Sequence, residues 1–473
     1  MKRIGIGLLS LVAAVCPAVA QETSPSDLVA RTTQRRAVEA VIWGMPAVNF
    51  DRMFQAMRKA GGTENQIVYW SGIPDWKNQT LTPNPSTVYV MPFIDTRGTD
   101  PMVLEIPPAS GGEITGTIMD AWQAALDDVG PAGVDKGKGG KYLILPPGYA
   151  GPIPEGFIRL ASDTRMAYAL LRSNVGSGSE ADVAKAVAYA REVKLYPLSQ
   201  ATAPPATTFV DAASTVYDST IPYDLRFFEA LDRFVQREAW LDRDKAMIDQ
   251  LKSVGIERGK PFEPGPETRK ILEQAAGEAH ALLEQRYEAL FTPTFYEGRQ
   301  WALPVPHDLS EGLSNLFSKP GTYPVDDRGT FFSFAFSSIK HLGSGQFYLV
   351  TIRDKDGKAL DGGSTYKLTV PAKAPVSLYW SATVYDRDTH GLIRDQKWSS
   401  RGSNSQGLQP NADGSVDILF GSEAPAGKEP NWVPTRAGGR WEVIFRFYGP
   451  QKPLFEKTWR LPDIEHVAEQ RGQ

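Results

Sequence analysis

What most constrains this chain is that its hydrophobic rhythm changes several times along its length. Across residues 66–160 the apolar residues come in short runs, among them Val88-Tyr89-Val90, Met102-Val103-Leu104-Glu105-Ile106, Ile114-Thr115-Gly116-Thr117-Ile118 and Tyr142-Leu143-Ile144-Leu145, each cut off by a Pro- or Gly-bearing turn. Short runs between turns predict an antiparallel sandwich. From about residue 305 the same texture returns in 331–336, 346–353, 366–370, 376–385, 415–420 and 441–448, with Asp356-Gly357 and Asp413-Gly414 as hairpin turns. That spacing predicts a jelly-roll-like sandwich. Between the two blocks, residues 180–194, 224–253 and 267–290 carry Ala, Leu, Glu and Lys at helical period. Residues 27–60 also predict a helix, with Asp27 as N-cap and Gly44 and Pro46 as interruptions.

The fold class expected is therefore mainly β with a helical insert. The boundaries read as a helical segment over 21–65, a β-sandwich over 66–175, a helical segment over 176–304 and a jelly-roll-like β domain over 305–473. Residues 197–223, rich in Pro, Thr and Ser, predict a long loop, and 174–179 a flexible connector.

Ahead of this body, Lys2 and Arg3 precede an apolar run from Ile4 to Val15, and Ala18-Val19-Ala20 reads A-x-A. This is the pattern of a cleavable export signal over residues 1–20, and the run is shorter than the roughly 20 apolar residues of a membrane span. The expected location is periplasmic or secreted, with no membrane span after cleavage. The single cysteine, Cys16, leaves with the signal, so no disulfide, thiolate nucleophile or Cys-based metal site remains. Removing Lys2 and Arg3 takes the formal charge from −4 to −6, and no basic run follows residue 20. No nucleic-acid partner is expected of such a surface.

Standard catalytic and cofactor motifs are absent. There is no G-x-S-x-G, no G-x-G-x-x-G in a strand–helix context, no P-loop and no H-E-x-x-H. The five histidines (His280, His307, His341, His390 and His466) are scattered, so no helix presents a His pair to a metal. No cofactor and no metal site is expected.

Residues 78–89, Asn-Gln-Thr-Leu-Thr-Pro-Asn-Pro-Ser-Thr-Val-Tyr, resemble the T-P-N-x-D-T-x-Y signature of a bacterial family of exported proteins. That family combines two domains of unknown function, 1254 at the N-terminal side and 1214 at the C-terminal side. The similarity continues through Met119-Asp120-Ala121-Trp122, residues 140–148, Gly345-Gln346-Phe347-Tyr348, residues 380–386, Asn431-Trp432 and residues 446–450. One departure matters: Ser86 stands where the family usually has Asp, so no role resting on that carboxylate carries over. The resemblance implies an N-terminal Ig-like sandwich, a helical insert and a C-terminal jelly roll. It implies no activity.

Five groups of residues are worth placing in the fold. Asn84, Thr87 and Tyr89, with Asp95 and Asp120, could converge on a polar ligand, or Asn84 between Pro83 and Pro85 could simply make a turn. Trp380 and Tyr385 have opposite parity on one strand, so one of them belongs to a core. Beside them, Asp386-x-Asp388-x-His390 mimics the start of a calcium loop but has Lys397 at its twelfth position, which favours a plain turn. Asp354-x-Asp356-Gly357 reads as a hairpin tip. His341, beside a Gly/Ser loop, is a candidate general base. Arg446 lies inside an aromatic strand near Asn431-Trp432 and needs a partner such as Asp386, Asp417 or a bound carboxylate.

Two functions remain open at this stage. One is binding of a small polar or carbohydrate-like ligand between the β domains by Asn84, Thr87, Trp380, Tyr385, Trp432 and Arg446. The other is a hydrolase or lyase using Asp120, His341 and Tyr89 as catalytic acid–base groups in the inter-domain cleft. A homo-oligomer would use sheet or helical faces, since no coiled-coil pattern is present.

Overall fold

The computed structural model describes residues 24–98, 101–176, 178–303, 305, 309, 323–337, 340 and 345–467. The export signal expected over 1–20 and the candidate His341 lie outside these residues.

The first β region contains β1 (Gln66–Tyr69), β2 (Asn78–Gln79), β3 (Thr87–Asp95), β4 (Met102–Ile106), β5 (Ile114–Asp120), β6 (Ala125–Val129), β7 (Gly140–Leu145), β8 (Phe157–Ala161) and β9 (Met166–Asn174). Strands β10 (Lys194–Pro197), β11 (Phe209–Asp211) and β12 (Tyr217–Asp218) complete it. They form a six-stranded sheet, β11-β1-β3-β9-β5-β6, facing a four-stranded sheet, β10-β4-β7-β8. Val88, Val90 and Ile94 of β3 point between the sheets, against Leu104, Tyr142 and Ile144. The opposite parity, Tyr89, Met91 and Phe93, faces a second core. All nine residues of β3 are buried. A strand covered on both faces needs a second layer, and the helices supply it.

Those helices are α1 (Pro25–Lys59), α3 (Leu225–Arg237), α4 (Lys245–Leu251), α5 (Pro266–Ala289) and α6 (Val325–Phe334), while α2 (Glu180–Ala190) caps the sandwich edge. The N-cap of α1 is Ser24, whose hydroxyl accepts from Asp27 N; Asp27 lies in the first turn. The helix expected over 27–60 runs from Pro25 to Lys59, straight through the interruptions at Gly44 and Pro46. Pro46 has no N–H, which frees the carbonyl of Ile42 one turn back. Gly329 of α6 crosses there so closely that a Cβ on it would stand 2.7 Å from Ile42 O. Packing against α6 therefore holds the helix through its interruption.

Two further expectations change. The helix predicted over 224–253 breaks after Arg237, because the Glu238 carboxylate turns to accept from the backbone N–H groups of Arg165 and Met166 at 2.7 and 2.8 Å. Residues 331–334, predicted as the start of a strand, are the last turn of α6. The alternation over residues 332–336, Phe-Ser-Phe-Ala-Phe, suits a strand, but Phe332 and Phe334 are buried from a helical turn. The loop expected over 197–223 is tied down by β11, which pairs with β1, and β12, which pairs with β2.

The C-terminal region has β13 (Gln346–Thr351), β14 (Tyr366–Val370), β15 (Trp380–Asp386), β16 (Ser400–Gly402), β17 (Val416–Gly421), β18 (Trp432–Pro434), β19 (Trp441–Tyr448), the short α7 (Lys452–Phe455) and β20 (Glu465–His466). Two four-stranded sheets, β13-β19-β15-β16 and β18-β17-β14-β20, enclose a core of Trp380, Ala382, Val384, Trp441, Val443, Phe445 and Phe447. The outer face of the first sheet carries Ser381, Thr383, Tyr385, Glu442, Ile444, Arg446 and Tyr448. Every residue of β15 and β19 is nonetheless buried. That outer face is the seam on which the jelly-roll-like domain meets the rest of the chain.

Candidate functional site

The segment from Asn78 to Tyr89 forms the joint of this seam. Thr82, at φ 41°, donates its N–H to His390 O at 2.6 Å and its hydroxyl to Phe334 O at 3.0 Å. One residue thus bonds both the C-terminal domain and α6. Gln79 donates to Leu392 O at 2.9 Å. The Tyr385 hydroxyl donates to Pro83 O at 2.6 Å. The Tyr448 hydroxyl donates to Asn84 Oδ1 at 3.0 Å, and Asn84 N–H donates to the Tyr89 hydroxyl at 2.7 Å. The Asn84 carbonyl oxygen also accepts from Ser86 N–H, so the turn chemistry expected of an Asn between prolines is present as well.

Above this joint stand two guanidinium groups, one from each β domain. Arg172 of β9 is directly opposite Tyr89 of β3, with its guanidinium 5.7 Å from the Tyr89 ring. Arg446 of β19 lies 5.2 Å from the Tyr348 ring and 5.6 Å from the Tyr385 ring. Its Nη2 donates to the Tyr385 hydroxyl at 2.5 Å and to Thr82 O at 3.3 Å. Tyr379 and Tyr448 stack at 4.0 Å beside it. Burial pushes the Tyr385 phenol up, so it stays protonated. Arg446 Nε and Nη1, Arg172 Nε and Asn84 Nδ2 are buried with no hydrogen-bond partner. Among the described residues neither guanidinium has a carboxylate in salt-bridge range. The partners expected of Arg446 are engaged elsewhere: Asp386 with Arg436 at 2.6 Å, and Asp417 with the Thr369 hydroxyl at 2.6 Å.

The remaining candidates scatter. Thr87 shares the face of Tyr89, but its hydroxyl donates to Ser173 O at 3.0 Å. Trp380 stacks on Phe445 at 5.3 Å inside the sandwich and takes no part in the seam, as its parity opposite Tyr385 requires. Trp432 lies in the other sheet, its Nε1 donating to Gly421 O. Asp95 pairs with Arg97 at the far end of β3. Asp120 accepts from Ala124 N–H at 2.8 Å in the β5–β6 turn. Burial pushes its carboxyl up to about 6, against the pull of Arg243 and Arg328. The structure does not bring Asp120 to Tyr89. Asp354 accepts from Asp356 and Lys358 N–H groups, a hairpin tip.

Asp386 accepts from the N–H groups of Asp388 and Thr389, and Asp388 pairs with Arg440. His390, at φ 53°, turns away from both. It enters a buried network that sequence reasoning missed. His390 Nδ1 lies 2.8 Å from Glu442 and Nε2 3.6 Å from Glu284 of α5. Arg387 reaches Glu284 at 2.7 Å, and the Tyr287 hydroxyl donates to Glu442 at 2.8 Å.

Both β regions correspond to known sequence families. A protein family of unknown function, DUF1254, matches residues 64–197, and a second, DUF1214, matches residues 345–452. The chain belongs to the family that joins these two domains. Each domain of this DUF1254–DUF1214 protein supplies one arginine of the seam: Arg172 lies in the first match and Arg446 in the second. No curated protein matches the chain. The crystal structure of the VPA0106 protein from Vibrio parahaemolyticus is similar in fold, with a TM-score of 0.56 at 19% identity over 92% of this chain and 100% of that one. An uncharacterized protein from Burkholderia cenocepacia matches with a TM-score of 0.39 at 13% identity, over 93% of this chain and 95% of that one.

Proposed function

We propose that this is an exported binding protein whose ligand-binding site is the seam around Asn84, Tyr89, Arg172, Tyr385 and Arg446. The observation that carries the reading is the set of four buried, unpartnered nitrogen atoms on three side chains from both domains. Leaving a buried donor unpaired costs about 1–3 kcal/mol, and more for a charged group. A cluster of them on neighbouring side chains is a place that an ion, a water molecule or a ligand would complete. Arg172 and Tyr348 are only partly buried, which gives the cluster an edge on solvent.

Exported status rests on the signal pattern of residues 1–20. No helix among the described residues is long and apolar enough to cross a membrane. Catalysis has less support at this site. The phenols donate to carbonyl groups or accept from N–H groups, and Asp120 lies in another part of the fold.

The test is a thermal-shift screen of the purified chain against sugars, small organic acids and inorganic anions, repeated with Asn84→Ala. A ligand present at a hundred times its dissociation constant stabilises by about 2.7 kcal/mol, which moves a domain of this size by several degrees. Stabilisation by some ligand, reduced in Asn84→Ala, supports the reading. Equal stabilisation of both proteins removes the seam as the binding site.

A further inference from the structure

The partners missing from the seam have a definite chemistry. We infer that the ligand presents an oxyanion, such as a carboxylate or phosphate group, to Arg172 and Arg446. This inference rests on the binding reading above and narrows it.

The argument is one of hydrogen-bond polarity. The four unpartnered nitrogen atoms, Arg172 Nε, Arg446 Nε and Nη1, and Asn84 Nδ2, can only donate. The acceptors around them are occupied. Asn84 Oδ1 receives Ser86 N–H and the Tyr448 hydroxyl. Thr82 O and the Tyr385 oxygen receive Arg446, and Pro83 O receives Tyr385. The Ser381 hydroxyl is also buried and can act in either sense, as can the tyrosine hydroxyls. A neutral sugar brings a donor with every hydroxyl, which the four unpartnered nitrogen atoms cannot receive. An oxyanion brings acceptors alone.

Charge points the same way. Arg446 is 2% exposed, and no carboxylate among the described residues approaches it or Arg172. The charge of Arg446 acts against that of Arg172, while the Tyr89 and Tyr348 phenols favour it. Two like charges in a partly dehydrated place are costly without a counter-charge. Just after β15, Arg387 is also buried and its Nη1 and Nη2 likewise lack a hydrogen-bond partner, but it has carboxylates around it: Glu284 at 2.7 Å, Glu288 at 3.8 Å and Glu442 at 3.9 Å. Tyrosine rings lie near both seam arginines, but an aromatic face attracts a cation without accepting its in-plane N–H groups. The seam therefore sets two guanidinium groups and the Asn84 amide N–H beside tyrosine rings, a match for the carboxylate or phosphate group of a small organic molecule.

The deciding experiment is isothermal titration of the purified chain with acetate, benzoate, inorganic phosphate and sulfate, with glucose as the neutral probe. The same titrations are run on Arg446→Gln and Arg172→Gln, with folding checked by circular dichroism. At least one anion is expected to bind, and each Gln variant that folds should weaken it tenfold or more. The two variants act from different domains, so loss of one to misfolding leaves the other informative. If glucose binds and no anion does, the seam remains a binding site but the oxyanion assignment falls. If an anion binds equally to wild type and to both variants, the assignment to these arginines is wrong. If no probe binds at millimolar concentration, both the inference and the binding reading fail.

Discussion

His390 Nδ1 stands 2.8 Å from Glu442 Oε1, with the histidine 4% and the glutamate 0% exposed. Burial alone would lower the histidine pKa. Glu442 and Glu284 overcome that, and the imidazole is pushed up to about 9 despite the opposing charge of Arg387. Tyr287, Phe334 and the backbone of Thr82 close the network. The folded pKa is raised above the unfolded value of about 6.5. The stability this contributes is fully present below about pH 6.5 and is lost as pH rises through about 9. Its size is on the order of 3 kcal/mol. The prediction is that His390→Gln is clearly less stable than wild type at pH 6, and that the gap narrows between pH 7 and pH 10. Urea melts at pH 6, 8 and 10 measure it. A gap that stays constant with pH would mean that His390 is not charged in the fold.

Gly329 offers a test in which two ordinary expectations disagree in sign. Replacing Gly by Ala inside a helix normally gains about 1 kcal/mol from propensity. Here the new methyl group would meet Ile42 O at 2.7 Å, and backbone on both helices cannot yield as a flexible side chain would. Overpacking of this kind typically costs about 1–3 kcal/mol. Gly329→Ala is therefore expected to lower stability, read as a lower midpoint in urea with an unchanged slope. A rise in the midpoint would show that α1 and α6 separate at this crossing without penalty.

The sequence carried the two β blocks and the helical layer between them, because strand and helix periods differ and the runs are long enough to count. It misjudged places where tertiary packing overrules a local signal. Pro46 reads as an interruption, yet α1 runs through it unbroken, with Gly329 packed against the carbonyl it frees. Residues 332–336 alternate like a strand, yet the first three of them close a helix. The site was half legible. Asn84, Tyr89, Tyr385 and Arg446 could be singled out as polar or charged groups in turns and aromatic strands. Arg172 was overlooked, although Met166, Tyr168, Leu170 and Arg172 share one parity of β9, which puts a charge on the face of Tyr89. Parity says that Trp380 and Tyr385 divide between core and outer face but not which is which, and Trp432 stands out by residue type alone. Its surroundings are set by sheet membership, which a search for aromatic residues does not weigh.

That parity gives a last prediction, because Trp380 and Tyr385 lie on opposite faces of β15. The Tyr385 hydroxyl donates to Pro83 O and accepts from Arg446. Tyr385→Phe leaves Pro83 O without its donor and Arg446 Nη2 with Thr82 O at 3.3 Å as its acceptor, at a cost of about 1–3 kcal/mol. It also frees Arg446 from the hydroxyl that orients it, so ligand affinity at the seam should fall. Trp380 is packed on Phe445 within the sandwich and touches none of the seam's donors. Trp380→Phe removes core volume and should lower stability by a comparable amount, since large-to-small changes in cores cost by the cavity they leave. Affinity at the seam should stay within about twofold, well inside the 1.4 kcal/mol of a tenfold change. Titration of both variants with whichever anion binds wild type separates the two effects. If the Trp380 change weakens binding as much as the Tyr385 change, the seam is not an independent site, and its affinity follows the stability of the whole jelly-roll-like domain.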